Sequence, residues 1–115
     1  MARRKDPVTE LRRGALELAL LAFLGRSPCF GGGILPGLAE ATNGGLELTE
    51  GALYPALHRL EKKGVLVSEW RQDEGAIRPR KYYTLTDAGQ ERLTILSQAW
   101  RKLADGLEGL LEDSE

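Results

Sequence analysis

Residues 51–64 constrain the fold of this chain most, because they form an amphipathic helix pattern with a clear stop. The apolar positions recur at three- and four-residue spacing, which places them on one face of a helix. These positions are Leu53, Ala56, Leu57 and Leu60. The opposite face is polar and basic, and Gly64 is a typical residue for a helix end. Such a helix buries one face in a core and presents the other outward.

A basic β-hairpin is predicted directly after this helix. Residues 66–71 and 81–85 alternate in polarity and are rich in β-forming side chains, so we expect them to pair as strands. Successive residues of a strand point to opposite faces. Of the adjacent Tyr82 and Tyr83, one should therefore pack inward, and the other could contact a different surface.

Two helices are predicted before this unit. The first spans residues 9–24, and the second spans residues 34–42, with Leu35, Leu38 and Ala39 facing inward. The predicted buried stripe of the first helix consists of Leu11, Ala15, Leu18, Ala19, Ala22 and Phe23. Residues 30–33 contain three consecutive glycines and are expected to form a flexible loop.

The last helix, predicted over residues 87–111, carries a narrow apolar seam. Its positions are Leu93, Leu96, Trp100, Leu103, Leu107 and Leu110. Steps of three and four residues alternate along this seam, as in the a and d positions of a heptad repeat. The pattern favours pairing with a second helix. Trp100 is expected to anchor that interface, and it could alternatively serve as a platform for a flat aromatic ligand.

Composition excludes several classes of protein. Apolar residues make up 42% of the 115 residues, which is enough for a core, and no apolar run is long enough to span a bilayer. The single Cys29 cannot form an internal disulfide, and the single His58 has no partner at metal-ligand spacing. We therefore expect a cytoplasmic protein without a metal, a cofactor or enzymatic activity.

The net charge of −1 conceals an asymmetry along the chain. Residues 49–81 carry seven basic and five acidic side chains, a local charge of +2, whereas residues 87–115 carry three basic and seven acidic ones, a local charge of −4. The helix and the hairpin are therefore basic, and the end of the chain is acidic.

These observations predict an α+β fold that is mostly α, namely a winged helix-turn-helix domain with a C-terminal dimerisation helix. The expected division is a basic N-terminal arm at residues 1–10, the DNA-binding domain at residues 11–86, and the dimerisation helix with its acidic tail at residues 87–115. A helix of this kind reads base edges in the major groove, while basic side chains contact phosphates or the minor groove. The candidate DNA-binding residues are Thr49, Tyr54, His58, Arg59, Lys62, Arg78, Arg80 and Lys81.

Two blocks of the chain resemble the PadR family of transcriptional regulators. They are residues 48–64, which match the family's recognition helix, and residues 78–89, which match its wing and the entry to the last helix. The resemblance implies a homodimeric repressor that binds double-stranded DNA at an inverted-repeat operator. It also implies release by a small molecule, with Trp100 matching a tryptophan that binds flat aromatic compounds in one subfamily. Residues 30–37 depart from the family pattern.

One alternative remains open on the sequence alone. A winged helix can use the same surface to bind a protein partner, and the modest net charge is compatible with that role. DNA binding with a steep salt dependence would distinguish the two functions.

Overall fold

The computed structural model describes residues 15–113, which form a mostly helical α+β fold. Its elements are α1 (Leu16–Arg26), β1 (Cys29–Phe30), α2 (Gly31–Ala41), α3 (Glu50–Lys62), β2 (Leu66–Arg71), β3 (Arg80–Leu85) and α4 (Asp87–Asp113). The strands form an antiparallel sheet in the order β1-β3-β2. The predicted arm at residues 1–10 and the predicted helix start at Thr9 lie outside the described residues.

The core lies between the first three helices and one face of the sheet. Its fully or nearly fully buried side chains are Leu20, Leu21, Leu24, Ile34, Leu38, Leu53, Ala56, Leu57, Leu60, Val65, Leu66 and Tyr83. All four positions of the stripe predicted for α3 are buried, which confirms that prediction. The burial of this stripe fixes which face of α3 remains exposed.

The buried stripe predicted for the first helix is only partly correct. Ala19 and Phe23 are half-buried against the core, but the fully buried side chains are Leu20, Leu21 and Leu24, and Ala22 is exposed. Leu11, the first position of the predicted stripe, lies outside the described residues. The reason is that α1 is apolar almost all round, so periodicity alone could not select the side that enters the core. Part of the predicted stripe packs against other elements, since Phe23 lies against Gly37 of α2.

The flexible loop predicted at residues 30–33 is also wrong. Cys29–Phe30 forms a short strand in which Phe30 pairs with Tyr82, and α2 begins at Gly31. The ring of Phe30 lies over the first turn of α2, where a Cβ on Gly33 would be 2.9 Å from it. The glycines therefore admit an aromatic ring against a helix end.

The predicted cap and stop of α3 are confirmed. The Thr49 hydroxyl accepts a hydrogen bond from the backbone N–H of Ala52 at 3.2 Å and caps α3. Gly64 ends the turn after α3 with a φ of +80°, a conformation that favours glycine. Pro55 lies inside α3 rather than at its first position.

No helix within residues 15–113 is long and apolar enough to cross a membrane.

Gly89, in the first turn of α4, is required by a close approach of backbone. A Cβ at this position would lie 2.1 Å from the carbonyl oxygen of Val65, a distance that real Cβ atoms do not adopt. The chain after α3 and the beginning of α4 are consequently in direct backbone contact at this point.

We expect Gly89→Ala to destabilise the protein by about 1–3 kcal/mol, because the added methyl group must displace backbone. Gly109→Ala is the matched control, since a Cβ on Gly109 has no neighbour within 4 Å. The control should gain stability, by up to about 1 kcal/mol, from its higher helix propensity. Urea unfolding of both variants at one protein concentration measures the difference, and equal midpoints would contradict the argument.

Candidate nucleic-acid interface

The exposed face of α3 carries a compact group of polar and basic side chains. The exposed members that were predicted from the sequence are Tyr54, His58, Arg59 and Lys62. They lie opposite the buried leucines, so the packing of α3 holds their backbone in place. Thr49 is also exposed, at the N-terminal end of the same helix, where its hydroxyl serves as the cap.

Tyr54 connects this face to the start of α2. Its hydroxyl oxygen lies 3.3 Å from the position that a Cβ on Gly31 would occupy, and Tyr54 remains 43% exposed. The ring therefore packs partly against the neighbouring helix while its edge is available to a partner. Absence of a side chain at Gly31 leaves the room that this arrangement needs.

The β2–β3 hairpin and its connecting loop, residues 66–85, are here called the wing. Its strands pair in register, with Ser68 opposite Tyr83 and Trp70 opposite Lys81. The inner face of the wing packs toward α3, because the Ser68 hydroxyl donates a hydrogen bond to the Glu61 carboxylate. Tyr83 is buried on this face, which confirms that one of the two adjacent tyrosines packs inward.

The outer face of the wing carries two cations stacked on two aromatic rings. The Arg80 guanidinium lies 4.3 Å from the centre of the Phe30 ring, and the Arg71 guanidinium lies 4.6 Å from the centre of the Tyr82 ring. The two rings are 5.8 Å apart. Each such contact contributes on the order of 0.5–1 kcal/mol at an exposed site. The stacking limits the positions that Arg80 can adopt.

Tyr82 also fastens the loop at the end of the wing. Its hydroxyl donates a hydrogen bond to the Asp73 carboxylate at 2.5 Å. This hydrogen bond is the main cause that raises the pKa of Tyr82, since it is lost when the phenol ionises. Beyond it, the loop turns at Gly75, whose φ is +81°, and Arg78 lies exposed near the tip.

Trp70 is a feature of this surface that sequence reasoning missed. It lies on the inner face of the wing next to Lys81, yet it is 68% exposed. Strand alternation places Trp70 on the same face as the buried Leu66, and that pattern normally indicates a core residue. The strand, however, extends past the edge of the core. A large apolar ring is thus exposed on the wing.

The seam predicted on the last helix divides into two parts. Leu93 and Leu96 are half-buried and pack against the core of their own chain, with Leu93 close to Gly25. The other four positions, Trp100, Leu103, Leu107 and Leu110, are between 49% and 67% exposed. They continue along a part of α4 that extends away from the core, where a groove of about 540 Å³ follows Leu103, Leu107 and Leu110.

Trp100 also borders a groove of about 280 Å³ between α1 and α4. The groove is lined by Ala15, Glu17, Leu18, Arg92, Leu96, Ala99, Trp100 and Leu103. Glu17 accepts a hydrogen bond from Arg92 at 3.1 Å and lies 3.9 Å from Lys63. An aromatic ring and a carboxylate therefore lie at the border of the same shallow space.

The described part of the chain holds no cluster of three or more His, Cys, Asp or Glu side chains that could bind a metal ion. Burial raises the pKa of the half-buried Cys29 thiol. A raised pKa leaves less of the nucleophilic thiolate at neutral pH.

Two successive helices, α2 and α3, followed by an antiparallel wing define a winged-helix fold. The model of the transcriptional regulator PadR-like family matches residues 20–95 of this chain. The chain therefore belongs to the PadR-like family of transcriptional regulators. The family's members are regulators and not enzymes, so the predictions of family, fold class and non-enzymatic function are confirmed.

Individual relatives agree with this assignment. The chain is 37% identical over 95 residues to the transcriptional regulator Rv3488 of Mycobacterium tuberculosis, a match that covers 83% of this chain and 84% of the relative. A PadR family regulator from Eggerthella lenta is 41% identical, with a TM-score of 0.77 over 91% of this chain and 88% of the other. A PadR-like regulator from Bacillus cereus has a TM-score of 0.79 at 25% identity, over 89% and 96% of the two chains.

We expect Asp73→Asn to lower the pKa of Tyr82, because it removes the negative charge beside the phenol and weakens the hydrogen bond acceptor. Carbon-13 NMR of protein with labelled tyrosine rings follows the titration of each phenol. Glu74→Gln, at the adjacent exposed acidic residue, is the control and should leave the Tyr82 titration unchanged. Identical titration curves for Asp73→Asn and the native protein would remove Asp73 as the cause.

Proposed function

We propose that this regulator is a homodimeric repressor that reads an inverted-repeat operator with α3 and contacts the flanking DNA with its wing. The observation that carries this proposal is the outward face of α3, which bears Tyr54, His58, Arg59 and Lys62 directly beside the basic wing. A helix of this diameter fits the major groove, and cations on both sides of it suit the phosphates.

Different side chains on α3 suit different parts of the DNA. Tyr54 and His58 are one helical turn apart, and both can exchange hydrogen bonds with base edges. Arg59 and Lys62 lie in the last turns of α3 and suit phosphate contacts that fix its register. Thr49 keeps its hydroxyl hydrogen for a phosphate oxygen while its lone pair caps the helix.

The wing supplies the second set of contacts. Arg78, Arg80 and Lys81 lie at or next to its tip and favour the negative potential of the minor groove or the backbone. Stacking on Phe30 pre-positions Arg80, which reduces the entropy that it loses on binding. The exposed ring of Trp70 lies next to Lys81 on the wing and suits apolar contact with the sugars.

Dimer formation through α4 accounts for its exposed apolar side. Contiguous apolar surface of this kind on a soluble domain indicates a protein interface. Because Leu93 and Leu96 already pack within their own chain, the interface consists of Trp100, Leu103, Leu107 and Leu110. We expect a two-fold axis across these residues to set two copies of α3 on half-sites about 34 Å apart, one turn of DNA.

A flat aromatic effector would suit the surface around Trp100. Trp100 is 49% exposed, and in the proposed dimer its indole ring would lie near the symmetry axis, where a ligand can stack on it. A ligand that prefers one dimer geometry shifts the population toward it and thereby changes DNA affinity. Quenching of tryptophan fluorescence in native protein, but not in Trp100→Phe, would detect such a ligand.

The double variant Arg80→Ala and Lys81→Ala should bind every DNA sequence more weakly and show a smaller salt dependence. Each lost phosphate contact lowers the slope of log K against log salt by about 0.9. Fluorescence anisotropy of a labelled duplex at several salt concentrations measures that slope. Arg101→Ala, which removes an exposed cation from α4, should leave the slope unchanged. A native slope in the double variant would remove the wing from the mechanism.

Leu103→Glu should yield monomers with little DNA affinity, because a dimer would bury two like charges against apolar surface. Analytical ultracentrifugation gives the oligomeric state, and circular dichroism checks that the helices remain folded. Arg101→Glu introduces the same carboxylate on α4 outside the seam and should remain dimeric. A dimeric Leu103→Glu variant would disprove the assigned interface.

A further inference from the structure

The end of α3 is joined to the beginning of α4 by a set of short hydrogen bonds around Thr86. The Thr86 hydroxyl donates to the Gly64 carbonyl oxygen at 2.7 Å, and the Thr86 N–H donates to the Val65 carbonyl oxygen at 3.1 Å. The same hydroxyl accepts a hydrogen bond from the N–H of Gly89 at 3.0 Å and so caps α4. One side chain thus links the turn after α3 to the first turn of α4.

Gly89 closes this junction without a side chain. The Val65 carbonyl oxygen approaches its Cα so closely that any Cβ would overlap with it. The contact is between backbone atoms, which cannot adapt by changing rotamer. It therefore restrains the angle between the turn after α3 and the axis of α4.

Two ion pairs next to this junction also connect the end of α3 with the beginning of α4. Lys63, the C-cap residue of α3, and Arg92, in the second turn of α4, both pair with Glu17 of α1. The Arg92 contact is the shorter one, at 3.1 Å against 3.9 Å for Lys63. These side chains are partly exposed, so the pairs contribute little free energy each. They nevertheless connect the same two helix ends as Thr86.

A small rotation at this junction would have a large effect at the far end of α3. The thirteen residues of α3 extend about 20 Å at 1.5 Å per residue. A tilt of about 10° at the junction would move the other end of such a helix by roughly 3 Å, close to the rise of one DNA base pair.

We propose that Thr86 and Gly89 are positioning residues that set the distance between half-sites which the dimer accepts. This inference rests on the proposed function, because it assumes that α3 reads DNA and that α4 forms the dimer. Neither residue needs to touch DNA. They act by fixing the angle between α3 and α4. In the dimer, that angle determines how far apart the two copies of α3 lie.

The first test measures this angle without DNA. Nitroxide labels are attached in the variant His58→Cys and Arg101→Cys, made in a Cys29→Ser background. The labelled protein is diluted with an excess of unlabelled protein so that only distances within one chain are observed. Thr86→Val removes the hydroxyl but retains the shape of the side chain, and Thr86→Ser retains the hydroxyl. Circular dichroism confirms that each variant is folded.

We expect a narrow distance distribution for the native chain and for Thr86→Ser. In Thr86→Val the distribution should broaden or shift by roughly 3 Å or more. A Thr86→Val distribution that superimposes on the native one would overturn the proposal, whatever the DNA measurements show.

The second test uses duplexes selected by the native protein from a random library, with the half-site spacing changed one base pair at a time. The native protein and Thr86→Ser should lose about tenfold or more in affinity at altered spacings, whereas Thr86→Val should vary less than about threefold. All three should bind a single half-site within about twofold of one another.

The two tests separate the possible failures. Retained spacing preference in Thr86→Val would overturn the positioning role even if the native protein binds DNA as proposed. If the native protein selects no DNA sequence, the proposed function fails, and the distance measurement still decides whether Thr86 fixes the angle between the helices.

Discussion

The geometry of the molecule depends on the contact between the backbone of Gly89 and the carbonyl oxygen of Val65. On one side of this contact, the buried leucines of α3 and the inner face of the wing form one packed unit. On the other side, α4 first packs on the core through Leu93 and Leu96, and its second half extends away with an exposed apolar side. The surface suited to DNA and the surface suited to a second copy of the chain are thereby held in a fixed relation.

Much of this arrangement could be predicted from the sequence, because the relevant signals are local. The stripe of Leu53, Leu57 and Leu60, with Thr49 before it and Gly64 after it, allows one amphipathic helix with defined ends. Alternation then predicts the two strands of the wing. The candidate DNA-binding residues on α3 are predicted because they lie on the face opposite this stripe. They are exposed for the same reason, although Tyr54 also packs partly against α2.

The remaining features depend on contacts between distant residues. A strand of two residues, Cys29–Phe30, has no periodic signal, and it forms because β3 offers a free edge. The glycines after it are typical of a loop, yet they form the first turn of α2, where the Phe30 ring packs closely against them. Leu93 belongs to the apolar seam of α4 by its spacing, but it packs against the core of its own chain. Trp70 lies on the inner face of its strand by alternation, but the strand extends past the core there and leaves the ring exposed.

The central claim is that the protein binds duplex DNA as a dimer, with α3 and the wing as the contact surface. Fluorescence anisotropy tests this claim most directly. A labelled duplex from the region upstream of the protein's own gene is titrated with protein, with a scrambled duplex as the comparison. We expect saturable binding at two chains per duplex, tighter than to scrambled DNA by about a thousandfold or more. Binding to both duplexes with the same affinity would contradict readout of that region by α3, and binding to neither would contradict the proposed DNA surface itself.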